Sequence, residues 1–198
     1  MNVSLTFDPQ KSTYGFLFGV AKFTKSSKTL EEVLNTVNQY DLSDNLENYC
    51  EGFSDNSETY NGWATDIKAM IVLNKHSSCS VHKTLSEDEN RYVRWNTAEF
   101  THYTSLITNL CKNSKEQIVF IGLLDNPHLN SRQYNMIVKR LIDGTLYIEN
   151  KANGDIPFDG FIKYRVLKHP FLSESQRKKL QALVDNFHDE EDKRKKET

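Results

Sequence analysis

The residues of this chain with the clearest potential for chemistry form a histidine and cysteine cluster, His76-x-x-Cys79-x-x-His82, with Cys111 downstream. Zinc is held by four nitrogen or sulfur ligands in a tetrahedron, and imidazole and thiolate are its usual donors. The two-residue gaps would let a loop place these side chains around one ion. If residues 76–82 form a strand, however, positions three apart point to opposite faces. Surface histidines around a small buried cysteine explain the pattern without zinc, so we predict no metal and no cofactor.

The same region could supply a cysteine nucleophile. Cys79 would need an imidazole base, either His82 or His102, within hydrogen-bonding distance, and a carboxylate such as Asp125 to orient the ring. This arrangement would make the protein a Cys/His-dependent hydrolase or transferase. The residues beside Cys79 match no family-specific signature of a catalytic cysteine. We therefore keep the enzyme as an alternative hypothesis.

A second candidate site is a basic surface in the C-terminal half of the chain. In the sequence FIKYRVL, apolar Ile162, Tyr164 and Val166 alternate with Lys163 and Arg165, so a strand here would have one apolar face and one basic face. Basic side chains with an exposed aromatic ring can bind phosphates and stack on bases. The predicted binding residues are Lys139, Arg140, Tyr147, Lys163, Arg165, Lys168, Arg177, Lys178 and Lys179.

The elements that would position this surface form a predicted three-stranded antiparallel meander over 135–167. Its apolar runs are separated by Asp143-Gly144, Asn153-Gly154 and Asp159-Gly160. These dipeptides suit two-residue hairpin turns, which need positive φ. The predicted fold class is α+β, with a mixed or mostly antiparallel sheet and two or three amphipathic helices packed on it. We predict a single domain over 1–187 and a charged, flexible tail over 188–198.

Other elements follow from hydrophobic periodicity. Apolar residues at i, i+3, i+4 and i+7 predict a helix over 29–40, with a capping box formed by Thr29 and Glu32. A long helix is predicted from 87 to about 111, and a final helix is predicted after Ser173 with Gln176 at its third position. The aromatic run 14–23 and the short apolar runs 67–73 and 117–124 indicate strands, the last two of them buried.

Composition and charge limit the classes of function. The three cysteines are too few for a disulfide framework and indicate free thiols, hence an intracellular, cytoplasmic protein. Neither a membrane-spanning segment nor a signal peptide is predicted. The excess of Lys over Arg, 18 against 7, is typical of proteins from A/T-rich genomes, such as those of viruses, low-GC bacteria and protists. Residues 41–66 contain seven acidic and no basic side chains, whereas 135–179 contain nine basic and five acidic ones.

We therefore predict a non-enzymatic regulatory protein that binds a macromolecular partner, in the first place another protein, through segregated acidic and basic surfaces. The acidic segment 41–66 and the basic region 139–179 are the predicted docking areas. Their complementarity also allows a homo-oligomer. The main alternative is a nucleic-acid-binding protein that uses the basic face of the 135–167 meander. No interaction with a membrane is predicted.

Overall fold

The computed structural model describes residues 14–39, 62–146 and 158–196, with side chains described over 15–38, 64–146 and 160–185. Throughout these ranges the secondary structure is helical, and no strand occurs in them. The α+β class is therefore wrong. The chain divides into two compact units, residues 1–101 and residues 102–198. The single domain over 1–187 and the flexible tail over 188–198 stay predictions.

The described residues of the first unit form five helices. They are α1 (Tyr14–Phe23), α2 (Ser27–Gln39), α3 (Gly62–Leu73), α4 (Cys79–Ser86) and α5 (Arg91–Phe100). The predicted helix over 29–40 is confirmed in α2, whose stripe of Leu30, Val33, Leu34 and Val37 is buried. Its first turn is capped by the Ser26 hydroxyl, which accepts the Thr29 N–H at 3.2 Å, so the helix begins earlier than its predicted capping box. The strands predicted over 14–23 and 67–73 are helical instead.

The second unit is also helical throughout the part that the structure describes. Its elements are α6 (Thr104–Asn113), α7 (Gln117–Asp125), α8 (Ser131–Ile142), α9 (Phe158–Phe161), a π-helix (Ile162–Val166) and α10 (Glu174–Lys196). The strand predicted over 117–124 is the buried helix α7. The long helix predicted over 87–111 is interrupted at 101–103 and forms α5 and α6. The predicted final helix is confirmed, and Ser173 and Gln176 exchange hydrogen bonds at its start.

The predicted meander is wrong because an Asp-Gly dipeptide can end a helix as well as form a hairpin turn. Its first run lies in α8, and Gly144, at φ +66°, follows the end of that helix. A glycine at positive φ is as typical of a helix C-terminus as of a hairpin. The Leu146 N–H donates to the Arg140 carbonyl at 3.0 Å and so satisfies one of the last carbonyls of the helix. Asp159-Gly160 lies within α9, and Asn153-Gly154 lies outside the described residues.

Both units use the same asparagine turn to join two helices. The Asn74 side-chain oxygen accepts the His76 N–H at 2.9 Å between α3 and α4. The Asn126 side-chain oxygen accepts the His128 N–H at 2.7 Å between α7 and α8. This is the hydrogen bond of an Asx turn, which lets a short polar side chain replace a backbone acceptor. None of the helices in the described ranges is long and apolar enough to cross a membrane.

Candidate functional site

The histidine and cysteine candidates of the first unit are not arranged as a site. Cys79 is exposed at the start of α4, whereas His82, three residues later, is completely buried. The expected buried cysteine and surface histidine are therefore wrong for this pair. His76 is half-buried in the preceding turn. Over the residues whose side chains are described, no group of three or more Cys, His, Asp or Glu side chains is placed to hold a metal ion. The pattern that suggested zinc is thus spread over an exposed helix start, a turn and a helix interior.

The two remaining candidates, Cys111 and His102, belong to the second unit. Cys111 is fully buried in α6, and burial raises the pKa of its thiol to about 12, although the nearby Arg140 guanidinium acts in the opposite direction. A thiol with so high a pKa is protonated at neutral pH and is a poor nucleophile. His102 is exposed, and the centre of its ring lies 4.2 Å from the centre of the Tyr103 ring and 6.3 Å from that of the His128 ring.

Arg140, predicted to contact a partner, is occupied inside the second unit. Its Nη1 donates to the Cys111 carbonyl at 2.7 Å and its Nη2 to the Ser114 carbonyl at 2.8 Å, at the C-terminal end of α6. The guanidinium also lies 5.6 Å from the centre of the Phe120 ring. Burial lowers its pKa from the ordinary value. Its neighbour on α8, Lys139, points to solvent.

The π-helix carries the clearest candidate for a binding surface. Its wide turn is closed by the Leu167 N–H, which donates to the Ile162 carbonyl at 2.8 Å. Ile162 and Val166 are buried, and the three residues between them are exposed. Tyr164, predicted on the apolar face of a strand, is instead 57% exposed. Tyr164 is absent from the predicted binding residues because a strand would have placed it opposite its basic neighbours.

Two lysine ammonium groups flank the exposed tyrosine. Lys163 Nζ lies 5.6 Å and Lys168 Nζ lies 5.3 Å from the centre of the Tyr164 ring, which is within the range of a cation–π contact. Neither ammonium has a carboxylate partner among the described residues. We call Lys163, Tyr164 and Lys168 the Tyr164 surface. It combines an exposed aromatic ring with two positive charges that no carboxylate of the described residues offsets.

The second basic residue of the π-helix, Arg165, forms an ion pair with a carboxylate. Arg165 Nη1 donates to both oxygens of Asp125, at 2.9 and 3.2 Å. Asp125 ends α7, and each of the two side chains is 41% exposed. From sequence, Asp125 is predicted only as the orienting group of a cysteine site. In the structure its carboxylate is paired with Arg165.

The basic residues of α10 are only partly connected to the Tyr164 surface. Arg177 Nη1 donates to the Leu167 carbonyl at 2.9 Å, next to Lys168, and its Nε lies 3.8 Å from Glu174. Lys179 is exposed. An open groove of about 390 Å³ runs along this helix and is lined by Glu174, Arg177, Lys178, Gln181, Ala182 and Asp185. Its lining includes two acidic and two basic side chains, so it does not extend a continuous basic surface. Tyr147 lies outside the described residues.

An aromatic stack supports the segment that follows the π-helix. The Tyr134 hydroxyl donates to the Val166 carbonyl at 2.9 Å, and its buried ring stacks on His169 at 4.3 Å. The Phe171 N–H points at His169 Nδ1, at 3.4 Å. Burial lowers the pKa of His169 below its ordinary value of 6.5, while the charge of Asp125 opposes that change. A long-range stack of this kind leaves no local pattern in the sequence.

The lowered pKa of His169 predicts a pH-dependent stability of the second unit. Below pH 6.5 the unfolded state binds a proton at this position more readily than the folded state does, so stability falls as the pH drops from 6.5 through the folded pKa. A His169→Gln variant should lose part of this slope, measured as the difference in Tm between pH 7.5 and pH 5. His128→Gln, at an exposed histidine of the same unit, is the control. Equal slopes in both variants would contradict the prediction.

The described part of the second unit therefore presents one surface, around Tyr164, where ring exposure and uncompensated positive charge coincide. Comparison of the chain with models of protein families, with curated proteins and with solved structures finds no match.

Proposed function

We propose that this protein is a non-enzymatic, intracellular binding protein that docks an acidic protein partner on the Tyr164 surface. The observation that carries the proposal is the exposed Tyr164 ring between the ammonium groups of Lys163 and Lys168. Tyrosine is enriched among the residues that contribute most to protein interfaces. Its ring offers a large contact area with few rotatable bonds. The thiols of Cys79 and Cys111 are free, which is typical of a reducing compartment.

Charge supports the choice of an acidic partner. The lysines beside Tyr164 have no carboxylate partner among the described residues, so they are available to a partner's carboxylates. Such contacts steer association and fix the orientation of the complex. The position of the lysines at the rim of an aromatic contact matches the anatomy of protein interfaces, in which a polar rim surrounds an apolar centre.

Nucleic acid is the second candidate partner. An exposed ring between two ammonium groups could stack on a base while the lysines contact phosphates. Two observations favour a protein instead. The Arg165 charge is offset by Asp125 and Arg177 lies beside Glu174, so arginines of this region are already engaged with carboxylates. The net charge of the chain is −2, whereas dedicated nucleic-acid-binding domains are usually basic.

Reversing the two lysine charges tests the proposal. We expect Lys163→Glu combined with Lys168→Glu to weaken binding of a labelled peptide of alternating Glu and Leu by about tenfold or more, because two attractions become repulsions. The affinity is measured by fluorescence anisotropy at low and near-physiological salt. Both lysines are exposed, so the substitutions should leave the fold intact.

A matched control separates the Tyr164 surface from net charge. Lys112 and Lys115 are exposed lysines of the same unit, and reversing both produces the same change in net charge. This double variant should bind the peptide almost as the wild type does. Equal losses in the two double variants, or no peptide binding by the wild type, would refute docking at Tyr164. Tight wild-type binding of a single-stranded oligonucleotide instead would put nucleic acid first.

A further inference from the structure

The carboxylate of Asp125 stands beside the Tyr164 surface. It is the last residue of α7, a helix that packs against the π-helix, and it contacts Arg165, the residue that follows Tyr164. Arg165 is thus the basic residue of the π-helix whose charge is offset, whereas Lys163 keeps its charge uncompensated among the described residues.

We infer that Asp125 determines which class of anion the Tyr164 surface accepts: the spaced carboxylates of an acidic peptide, and not the phosphates of a nucleic acid. This inference rests on the function proposed above and adds the residue that selects the partner. Arginine binds phosphate better than lysine does because its planar guanidinium donates two parallel hydrogen bonds. Pairing with Asp125 occupies part of that group and cancels its charge.

The different groups that bind the two kinds of anion explain the selection. Phosphate contacts contribute much of the affinity for nucleic acid, and the pairing with Asp125 withholds the Arg165 guanidinium from such contacts. A peptide can place its carboxylates at Lys163 and Lys168 and put an apolar side chain over Tyr164. Specificity then arises from the phosphate contact that Asp125 withholds as well as from attraction of the peptide by the two lysines.

Removing the Asp125 charge should not unfold the protein. Asp125 and Arg165 are each 41% exposed, and ion pairs between exposed groups contribute little to stability. A carboxylate at the C-terminal end of a helix also interacts unfavourably with the helix dipole. Asp143 offers a matched control, since it is an exposed aspartate at the C-terminus of α8 in the same unit.

The experiment compares two probes on three proteins. The probes are the Glu-Leu peptide and an oligothymidylate of about 15 nucleotides, a length suited to a single-strand binding surface. In Asp125→Asn, the ratio of oligonucleotide affinity to peptide affinity should rise about fivefold or more over the wild type, and the salt dependence of oligonucleotide binding should steepen by about one phosphate contact. Asp143→Asn should leave the ratio near the wild-type value.

A second variant identifies the group that Asp125 restrains. Combining Asp125→Asn with Arg165→Gln should return oligonucleotide affinity to about the wild-type level, because the released guanidinium is then absent. Equal ratios in Asp125→Asn and Asp143→Asn would overturn the role of Asp125, while peptide binding by the wild type would leave the proposed function in place. A wild-type protein that does not bind the peptide would instead overturn the proposed function itself.

Discussion

An Asn74→Ala variant is expected to lose about 2–4 kcal/mol of the free energy of unfolding, because three hydrogen bonds disappear and two carbonyls, one buried and one partly buried, are left without this donor. The Asn74 side-chain nitrogen donates to the carbonyls of Ala21 at 2.8 Å and Thr24 at 3.0 Å. These carbonyls lie at the end of α1, where helix geometry provides no partner. The Asn74 oxygen meanwhile accepts the His76 N–H. One side chain, 8% exposed, thus joins the end of α1 to the turn before α4.

Tryptophan fluorescence during denaturation by urea measures this loss, because both tryptophans of the chain, Trp63 and Trp95, belong to the first unit. Asn74→Asp should be at least as destabilising, since a carboxylate keeps the acceptor for His76 but cannot donate to the two carbonyls. Asn35→Ala, at an exposed position of α2, should change stability by no more than about 0.5 kcal/mol. Similar transitions for Asn74→Ala and Asn35→Ala would show that the asparagine bridge contributes nothing.

Arg140→Met is the second substitution with a large expected effect, a loss of about 2–4 kcal/mol in the stability of the second unit. The guanidinium donates charge-assisted hydrogen bonds to the Cys111 and Ser114 carbonyls, and methionine can replace only its apolar stem. A positive charge at the C-terminal end of α6 also interacts favourably with the helix dipole. Its contact with the Phe120 ring is lost as well.

Amide hydrogen exchange over residues 104–142 localises the effect of Arg140→Met to the second unit. Arg140→Lys should be intermediate, because an ammonium keeps the charge but lacks the planar pair of donors. Lys139→Met removes the same charge from the adjacent, exposed position of α8 and should be nearly neutral. Equal protection in Arg140→Met and the wild type would refute the structural role of this arginine.

The sequence predicts those helices whose signals are local. In α2, four apolar positions repeat with helical spacing, and in α10 the Ser173 and Gln176 pair marks the start. Short apolar runs such as 67–73 and 117–124 are ambiguous, because a buried strand and a buried helix both appear as continuous apolar residues. Their helical packing partners, which decide between the two, are distant in sequence.

The candidate site shows the same division between local and distant signals. Lys163, Arg165 and Lys168 could be identified as exposed basic residues from their residue type alone. The contacts of these residues could not be predicted from sequence. Arg165 pairs with the distant Asp125, and the ring beside the two lysines is that of Tyr164, which the alternating pattern assigns to a buried face. The roles of Arg140 and Asn74 likewise depend on backbone carbonyls of other helices, and a carbonyl leaves no trace in an amino-acid sequence.

The π-helix makes the Tyr164 surface depend on the length of the chain as well as on its composition. An α-helical turn is closed by the fourth residue along, whereas the Leu167 N–H reaches back five residues to Ile162. Deleting one residue from this turn would favour an ordinary α-helical turn and rotate the following residues by about 100°. The Lys168 ammonium would then no longer lie beside the Tyr164 ring, even if the deleted residue carried no charge. Insertions and deletions at 162–166 are therefore a route by which this surface can be gained or lost in a single step.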